Sequence, residues 1–219
     1  MSKERRKTVP NLADTSPKHQ KAIADGDEHF KAWQYNVADH FKDKTVEEIK
    51  DILKKTAFPF AVCMEHLIGD FNFGTVIRNA NAFNAREVFY VGDKKWDRRS
   101  AVGVHNYTDV KWLPTIDDLV KLKDKYVFVG IDNIPGSVSI YSYSWPRNAL
   151  LIFGEEGTGL TPEMQKLCQD IVYIPMYGTV RSLNCGTASG IAMFSYTKFQ
   201  VDFANMVELE EARNSKRNF

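Results

Sequence analysis

The C-terminal part of the chain carries an apolar residue at every third or fourth position, which is the spacing of a helix that buries one side. The stripe consists of Ala192, Tyr196, Phe199, Phe203 and Met206. A polar segment that contains Arg181, Ser182 and Asn184 stands directly before it. The pattern therefore predicts a long helix from residue 184, with many hydrogen-bonding groups at its N-terminal end.

From residue 59 onward, short apolar runs alternate with segments of helical period. The predicted strands are FPFAVCM, EVFYVG, VKWL, VFVGI, NALLIFG and IVYIPM, and the predicted helices between them are FGTVIRNANAF, TIDDLVKLKDKY and TPEMQKLC. The alternation predicts an α/β fold with a mostly parallel sheet and helices on both faces. Such sheets bind ligands beyond the carboxyl ends of their strands, so we expect the chemistry in the segments that follow the strands.

The segment before this alternation is polar and charged. We expect residues 1–44 to form a basic N-terminal arm of one or two helices, docked through Phe30, Trp33, Tyr35 and Phe41. The next segment, TVEEIKDILKKT, pairs Thr45 with Glu48 as a capping box ahead of an apolar helical pattern. The sequence thus predicts an N-terminal extension over residues 1–58 and one domain over residues 59–219.

Composition changes this picture little. Of the 219 residues, 43% are hydrophobic, and the net charge is +1, as in an ordinary globular protein. There is no secretory signal, and no apolar run approaches the roughly 20 residues of a membrane span, so we expect a cytoplasmic protein with no membrane partner. The three cysteines are far apart and lack the spacing of zinc ligands, so no metal is expected.

Two of the segments after strands have ambiguous patterns. In DFNFGTVIRNANAF, Asn72 could cap a helix, Gly74 permits close backbone approach, and Arg78 lies one turn later. Alone, this segment favours a capped helix with an exposed arginine. In LIFGEEGTGL, the glycines around Glu156 are compatible with either a tight turn or a loop that offers its backbone to a ligand, and the lysine of a phosphate-binding loop is missing.

The third segment is IPMYGTVRSLNCGTASG, which follows the last predicted strand. Asn184 is a good helix N-cap, and Ser182 is a possible second acceptor. Small residues fill the first helical turns, namely Gly186, Ala188, Ser189 and Gly190. They would let either another backbone or a flat ligand come close, and the pattern does not decide between these two explanations.

Taken in order, the three segments resemble the signature motifs of the SpoU (TrmH) family of RNA ribose methyltransferases, in the SPOUT superfamily. The first motif is matched by Asn72, Gly74 and Arg78; the second by Leu151 to Gly157, with Glu156 in the glutamate position; and the third by Ile174-Pro175-Met176 and Ser182-Leu183-Asn184. The resemblance covers residues ~59 to ~200. One departure is Cys185-Gly186, where relatives more often carry Val-Ser, and we expect altered packing there without loss of activity.

The resemblance implies a C-terminal deep trefoil knot, a homodimer with the site completed across its interface, and S-adenosylmethionine as methyl donor for a tRNA or an rRNA. It implies a catalytic set of Arg78, Ser182, Asn184, Glu156 and Asn72. It implies a cofactor site formed by Ile131, Gly154, Ile174, Met176, Ser182, Leu183 and Asn184. The expected reaction is methyl transfer to a ribose 2′-hydroxyl.

Three other functions stay open from the sequence. The first is a SPOUT-fold enzyme that methylates an RNA base, which the Ser-Leu-Asn motif disfavours. The second is an RNA-binding protein without catalysis, which the intact Arg78, Glu156 and Asn184 disfavour. The third is an unrelated nucleotide-binding α/β enzyme, which the missing phosphate-loop lysine disfavours.

Overall fold

The sheet of the molecule contains seven strands, all paired in parallel. The computed structural model describes residues 37–41, 44–65, 70–92, 96, 98–155 and 157–215. The strands are β1 Phe58–Glu65, β2 Ala85–Val91, β3 Val110–Leu113, β4 Val127–Ile131, β5 Val138–Ser139, β6 Ala149–Phe153 and β7 Asp170–Tyr173. Their order across the sheet is β3-β2-β1-β6-β4-β7-β5. The predicted α/β fold with a parallel sheet is confirmed.

Five α-helices accompany the sheet in the described part of the chain. They are α1 Val46–Thr56, α2 Asp70–Ala82, α3 Ile116–Val120, α4 Pro162–Leu167 and α5 Cys185–Ser215. The predicted capping box of α1 is present, because Thr45 and Glu48 each accept a hydrogen bond from the other's backbone N–H. The helix predicted over residues 115–126 is shorter than expected, since α3 passes into a 3-10 turn at Lys121–Asp124.

Two details of the sheet differ from the sequence prediction. Strand β5 was not predicted, because two residues are too few to show an alternating pattern. Strand β7 ends at Tyr173, whereas the prediction ran to Met176. The early end is explained by Pro175, which has no backbone N–H to donate to a neighbouring strand.

Each face of the sheet has its own apolar core, as expected for strands covered on both sides. On one face, α2 and α5 pack over strand residues such as Val62 and Leu151, and Tyr196 of α5 is fully buried there. On the other face, Leu119 of α3 and Met164 of α4 are fully buried. Helix α5 thus buries the first part of its predicted apolar stripe.

Most of the predicted N-terminal arm, including Phe30, Trp33 and Tyr35, lies outside the described residues. Phe41 ends a 3-10 turn at Asp39–Phe41. The division into an extension and one domain stays a prediction. Among the helices of the described residues, none combines the length and the apolar character needed to cross a bilayer.

A buried carboxylate on β2 binds side chains of β3 and of the segment directly before β4. Lys111 Nζ donates to Glu87 Oε1 at 2.6 Å, and Lys125 Nζ and the Tyr126 hydroxyl donate to Oε2. Burial by itself would raise the pKa of Glu87. The three hydrogen bonds outweigh burial and lower this pKa from 4.5 to about 2.

The lowered pKa of Glu87 predicts a pH-dependent contribution to stability. The ionised carboxylate stabilises the fold at pH values above its ordinary pKa of 4.5, and this contribution is lost as pH falls toward 2. We expect Glu87→Gln to lower the urea midpoint of unfolding near neutral pH, by a difference from wild type that shrinks as pH falls from about 5 to about 3. A difference that stays constant over this range would contradict the prediction.

Candidate functional site

The segments predicted to carry the chemistry all leave the same edge of the sheet. Strands β1, β6, β4 and β7 are adjacent and parallel, so their carboxyl ends lie side by side. Helix α2 follows β1, the glycine-rich loop follows β6, and the segment 174–184 leads from β7 to α5. Since α5 packs against α2, the segment 174–184 must cross the edge where β4 and β6 end.

The first and third motifs are joined by a hydrogen bond between two carboxamides. Asn184 Nδ2 donates to Asn72 Oδ1 at 2.8 Å, and Asn72 is buried. The prediction that Asn72 caps α2 is wrong, because the helix begins at Asp70 and places Asn72 inside its first turn. From there its side chain points to α5, where it accepts the hydrogen bond.

Asn184 has the N-cap role that the sequence predicted. Helix α5 begins at Cys185, and Asn184 Oδ1 accepts the backbone N–H of Thr187 at 3.3 Å. The same carboxamide therefore caps α5 through its oxygen and binds α2 through its nitrogen. Ser182 lies just ahead of it, is exposed, and makes no hydrogen bond to another described residue.

Arg78 is exposed on α2, in a gap between two segments that pack against this helix. Successive residues of a helix are rotated by about 100°, which places Thr75 and Asn79 on one side of Arg78 and Gly74 on the other. Asn79 contacts α5, whereas Gly74 contacts the 3-10 turn Arg98–Ala101 so closely that a Cβ would overlap Ser100. The close approach predicted for Gly74 is confirmed, but it occurs within a helix instead of at a turn.

Arg78 makes no hydrogen bond or ion pair with any other described residue. Its guanidinium is therefore available at the surface, nearly two helical turns after Asn72. The first motif, taken alone, predicted a capped helix with an exposed arginine. The difference is that Asn72 brings the start of α5, with Ser182 and Asn184, to the same helix.

The glycine-rich loop after β6 is closed by its own backbone. Glu155 and Gly159 exchange two backbone hydrogen bonds of 2.9 and 3.0 Å. Gly157 and Gly159 have φ angles of 96° and 74°, which only glycine adopts without strain. A Cβ at Gly154 would overlap the Gly159 carbonyl carbon, so the space beside Gly154 is taken by the loop itself. Glu156 lies outside the described residues.

Two carboxylates, whose contact with the loop was not predicted, hold this loop from both sides. Asp132, directly after β4, accepts the backbone N–H of Leu160 at 2.8 Å. Glu65, at the end of β1, is fully buried and accepts the backbone N–H of Thr161 at 3.1 Å and the Thr161 hydroxyl. A single acidic residue that directly follows an apolar run was the available signal in both cases.

The residues predicted to contact the cofactor line the same edge. Ile131 is buried at the end of β4, where it pairs with Phe153 of β6 and Val172 of β7. Ile174, Met176 and Leu183 are half-buried. Among the described residues, the backbone groups of 174–183 make no hydrogen bond to other backbone groups, which leaves them available to water or a ligand.

The departure at Cys185-Gly186 has a packing explanation. A Cβ at Gly186 would lie 2.7 Å from Thr75 Cγ2 and 3.1 Å from Asn184 Oδ1. The first turn of α5 therefore lies directly against α2, and glycine is the residue that this contact accommodates. Whether this packing differs from that of relatives with Val-Ser, and what it does to activity, both stay predictions.

A separate cleft of about 1300 Å³ lies between α1 and the segments around β2 and β3. Its lining includes Lys50, Arg86, Glu87 and Lys111, and it contains none of the predicted site residues. Both cations and carboxylates line it in similar numbers, so its charge favours no one class of ligand. The described residues also contain no group of three or more His, Cys, Asp or Glu side chains placed to hold a metal ion.

The fold is that of the α/β proteins with a parallel sheet, a class whose members bind ligands beyond the carboxyl ends of the strands. The SpoU rRNA Methylase family matches residues 59–194. This match covers more than half of the chain, and the chain belongs to that family. The resemblance drawn from the three motifs is thereby confirmed.

Two curated relatives show the range of the family. The chain is 30% identical over 151 residues to the tRNA (guanosine(18)-2'-O)-methyltransferase of Escherichia coli K12, which covers 67% of this chain and 66% of that protein. It is 26% identical over 159 residues to the 23S rRNA (guanosine-2'-O-)-methyltransferase RlmB of Vibrio vulnificus, and the matched region covers 70% of this chain and 64% of that protein. The chain thus spans slightly less than two thirds of the length of these relatives.

Solved structures share the fold. The Aquifex aeolicus TrmH/SpoU tRNA modifying enzyme superposes with a TM-score of 0.65 at 20% identity, over 73% of this chain and 84% of that chain. AviRb from Streptomyces viridochromogenes, a SpoU methyltransferase crystallised with the cofactor AdoMet, gives a TM-score of 0.58 at 24% identity, over 64% and 57%.

Proposed function

We propose that this protein transfers a methyl group from S-adenosylmethionine to a ribose 2′-hydroxyl of a structured RNA. The observation that carries the proposal is the hydrogen bond between Asn72 and Asn184, which joins the third motif to the helix that carries the exposed Arg78. The motifs are far apart in sequence, so the fold has to bring them together.

The residues at the sheet edge fit S-adenosylmethionine as the donor. The half-buried side chains of Ile174, Met176 and Leu183 offer apolar contacts to an adenine ring, with Ile131 at the neighbouring strand end. The unpaired backbone groups of 174–183 offer hydrogen bonds. We assign Gly154 to this site through the loop that it allows to close, and Ser182 and Asn184 through their place at the start of α5.

Within the reaction, Arg78 stabilises negative charge that develops on the ribose oxygen and holds a neighbouring phosphate. An arginine guanidinium keeps its proton in proteins, so a role as general base would require a neighbouring group to deprotonate it first. Asn184 holds the start of α5 against α2, and Ser182 hydrogen-bonds the ribose. Glu156, which lies outside the described residues, is assigned to the catalytic set from the second motif. When bound, S-adenosylmethionine supplies a methyl group that is already activated on a sulfonium.

An RNA substrate is supported by the relatives, one named for tRNA and one for 23S rRNA. It agrees with the cytoplasmic location predicted from the sequence. Basic residues near both ends of the chain, among them Arg5, Arg6, Arg213 and Arg217, could contact phosphates, which dominate affinity for nucleic acids.

The test is to incubate the purified protein with S-adenosylmethionine and either tRNA or rRNA, digest the RNA to nucleosides, and identify the products by mass. A 2′-O-methylated nucleoside from either RNA supports the proposal. A base-methylated nucleoside would favour the alternative SPOUT enzyme. RNA binding without any methylated product would favour a non-catalytic RNA-binding protein.

We also propose the homodimer and the C-terminal trefoil knot that the family resemblance implies. The apolar stripe of α5 supports the dimer: Tyr196 is fully buried, yet Phe203 and Met206, on the same side of the helix, are 57% and 60% exposed. The helix continues past the body of this chain, and a second copy would cover the rest of its stripe. The knot is supported by the path of residues 174–184, which cross the edge of the sheet where β4 ends and where the glycine-rich loop follows β6.

The exposed end of the stripe gives a prediction about assembly. We expect the wild-type protein to sediment as a dimer and the Phe203→Asp/Met206→Asp double variant to sediment as a monomer, because burying two carboxylates at an apolar contact is unfavourable. Val120→Asp is the matched control, since Val120 is a partly exposed apolar residue on the other face of the sheet. A double variant that remains dimeric would place the interface elsewhere.

A further inference from the structure

Asn79 directly follows Arg78 in α2 and binds the first turns of α5. Its Nδ2 donates to the Gly186 carbonyl at 2.8 Å and to Ser189 Oγ at 2.9 Å. The Ser189 hydroxyl, which is fully buried, donates to the same Gly186 carbonyl at 2.7 Å. The three groups form a closed set of hydrogen bonds between the two helices.

This set repeats, two turns further along α2, the connection made by Asn72. Asn72 and Asn79 are seven residues apart, so they lie on the same side of the helix. Asn72 binds the N-cap residue Asn184, and Asn79 binds the turn that follows it. Two carboxamides on one side of α2, six residues before Arg78 and directly after it, thus fix α5 against this helix.

The contact between the helices leaves little freedom for them to slide. A Cβ at Gly186 would lie 2.7 Å from Thr75 Cγ2, and one at Gly190 would lie 3.3 Å from Asn79 Nδ2. The two backbones are therefore already in close contact around Asn79. A change in its hydrogen bonds would shift the start of α5, which carries Asn184 and follows Ser182.

We propose that Asn79 is a positioning residue for methyl transfer: through Gly186 and Ser189 it sets the position of Asn184 and Ser182 relative to Arg78. This inference rests on the proposed function. Both hydrogens of Asn79 Nδ2 are donated to α5, so Asn79 acts through this helix. A misplacement of about 1 Å in such a site can cost a factor of ~10² in rate.

The test compares Asn79→Ala with Asn81→Ala. Asn81 is a matched control, because it is an asparagine of the same helix whose Nδ2 donates to the Thr108 hydroxyl at 3.2 Å, away from α5. We expect Asn79→Ala to lower kcat by a factor of ~10 or more, with changes of less than about threefold in KM for RNA and in Kd for S-adenosylmethionine. We expect Asn81→Ala to keep the wild-type kcat, although it loses about as much thermal stability as Asn79→Ala.

Ser189→Ala provides a milder second variant should Asn79→Ala fail to fold. It removes one acceptor of Asn79 and keeps the Gly186 carbonyl, so we expect a smaller fall in kcat. Because both residues belong to one set, the double variant should be no slower than Asn79→Ala alone. Wild-type kcat in Ser189→Ala, or equal kcat in the two asparagine variants, would overturn the proposal.

Hydrogen exchange separates failure of this inference from failure of the proposed function. We expect the backbone amides of residues 185–190 to exchange at least ~10-fold faster in Asn79→Ala than in Asn81→Ala, whether or not the chain methylates RNA. Equal exchange in these variants would refute the positioning role by itself. A wild-type protein that exchanges as expected but never methylates RNA would refute the proposed function alone.

Discussion

Arg78→Ala is expected to slow methyl transfer to RNA by a factor of ~10² or more, which corresponds to about 3 kcal/mol of lost transition-state stabilisation. The reason is that Arg78 is a cation beside the proposed ribose site, exposed and without an ion pair among the described residues. Its removal should leave the apolar cofactor contacts intact, so the Kd for S-adenosylmethionine should change little. Single-turnover rates and calorimetry would measure the two quantities.

Arg86→Ala is the control for this variant. Arg86 is also an exposed arginine, but it lies near the start of β2, at the opposite edge of the sheet from the site. Loss of a surface cation alone should weaken RNA binding slightly and leave the single-turnover rate unchanged. Equal rates in Arg78→Ala and wild type would remove Arg78 from the catalytic set.

Arg78→Lys distinguishes two ways in which the residue could act. A lysine keeps the charge but lacks the planar fork with which arginine binds two oxygens at once. If charge alone stabilises the ribose oxygen, Arg78→Lys should recover most of the rate. If Arg78 also holds a phosphate through two hydrogen bonds, the recovery should be small, and the KM for RNA should rise.

The strands and long helices were predictable because each has a local signal. The continuous apolar runs VFVGI and NALLIFG are buried strands in the centre of the sheet, and Thr45 with Glu48 forms the predicted capping box. Periodicity could not show that Phe203 and Met206 extend past the body of the chain. Whether an apolar position is covered depends on what lies opposite, and that is a property of the tertiary structure.

The site was predictable as a set of segments and less so as a set of contacts. Asparagine is a residue type that often caps helices, but the partner of Asn72 is Asn184, 112 residues away. The carboxylates of Asp132 and Glu65 act on the glycine-rich loop only because β1 and β4 flank β6 in the sheet. Strand order was not encoded in any local pattern, so the contact of these two carboxylates with the loop could not be predicted.

Gly154 has the second large expected effect. The family resemblance places this glycine in the cofactor site, whereas in the structure the backbone of Gly159 and Leu160 occupies the space beside it. In Gly154→Ala, the added Cβ must push this backbone away, because no flexible side chain is there to move. We expect a destabilisation of about 1–3 kcal/mol or more, seen as a fall in Tm of about 2–4 °C per kcal/mol.

The same displacement should reach the cofactor site. The loop is tied to Asp132 at the end of β4 and to Glu65 at the end of β1, so moving Gly159 strains both connections. We therefore expect Gly154→Ala to weaken S-adenosylmethionine binding by a factor of ~10 or more, measured by calorimetry below the Tm of the variant. Gly178→Ala is the control for stability, because a Cβ there meets nothing within 4 Å. If Gly154→Ala matched Gly178→Ala in Tm and kept wild-type affinity, the loop could not be the tightly closed element on which the proposed cofactor site depends.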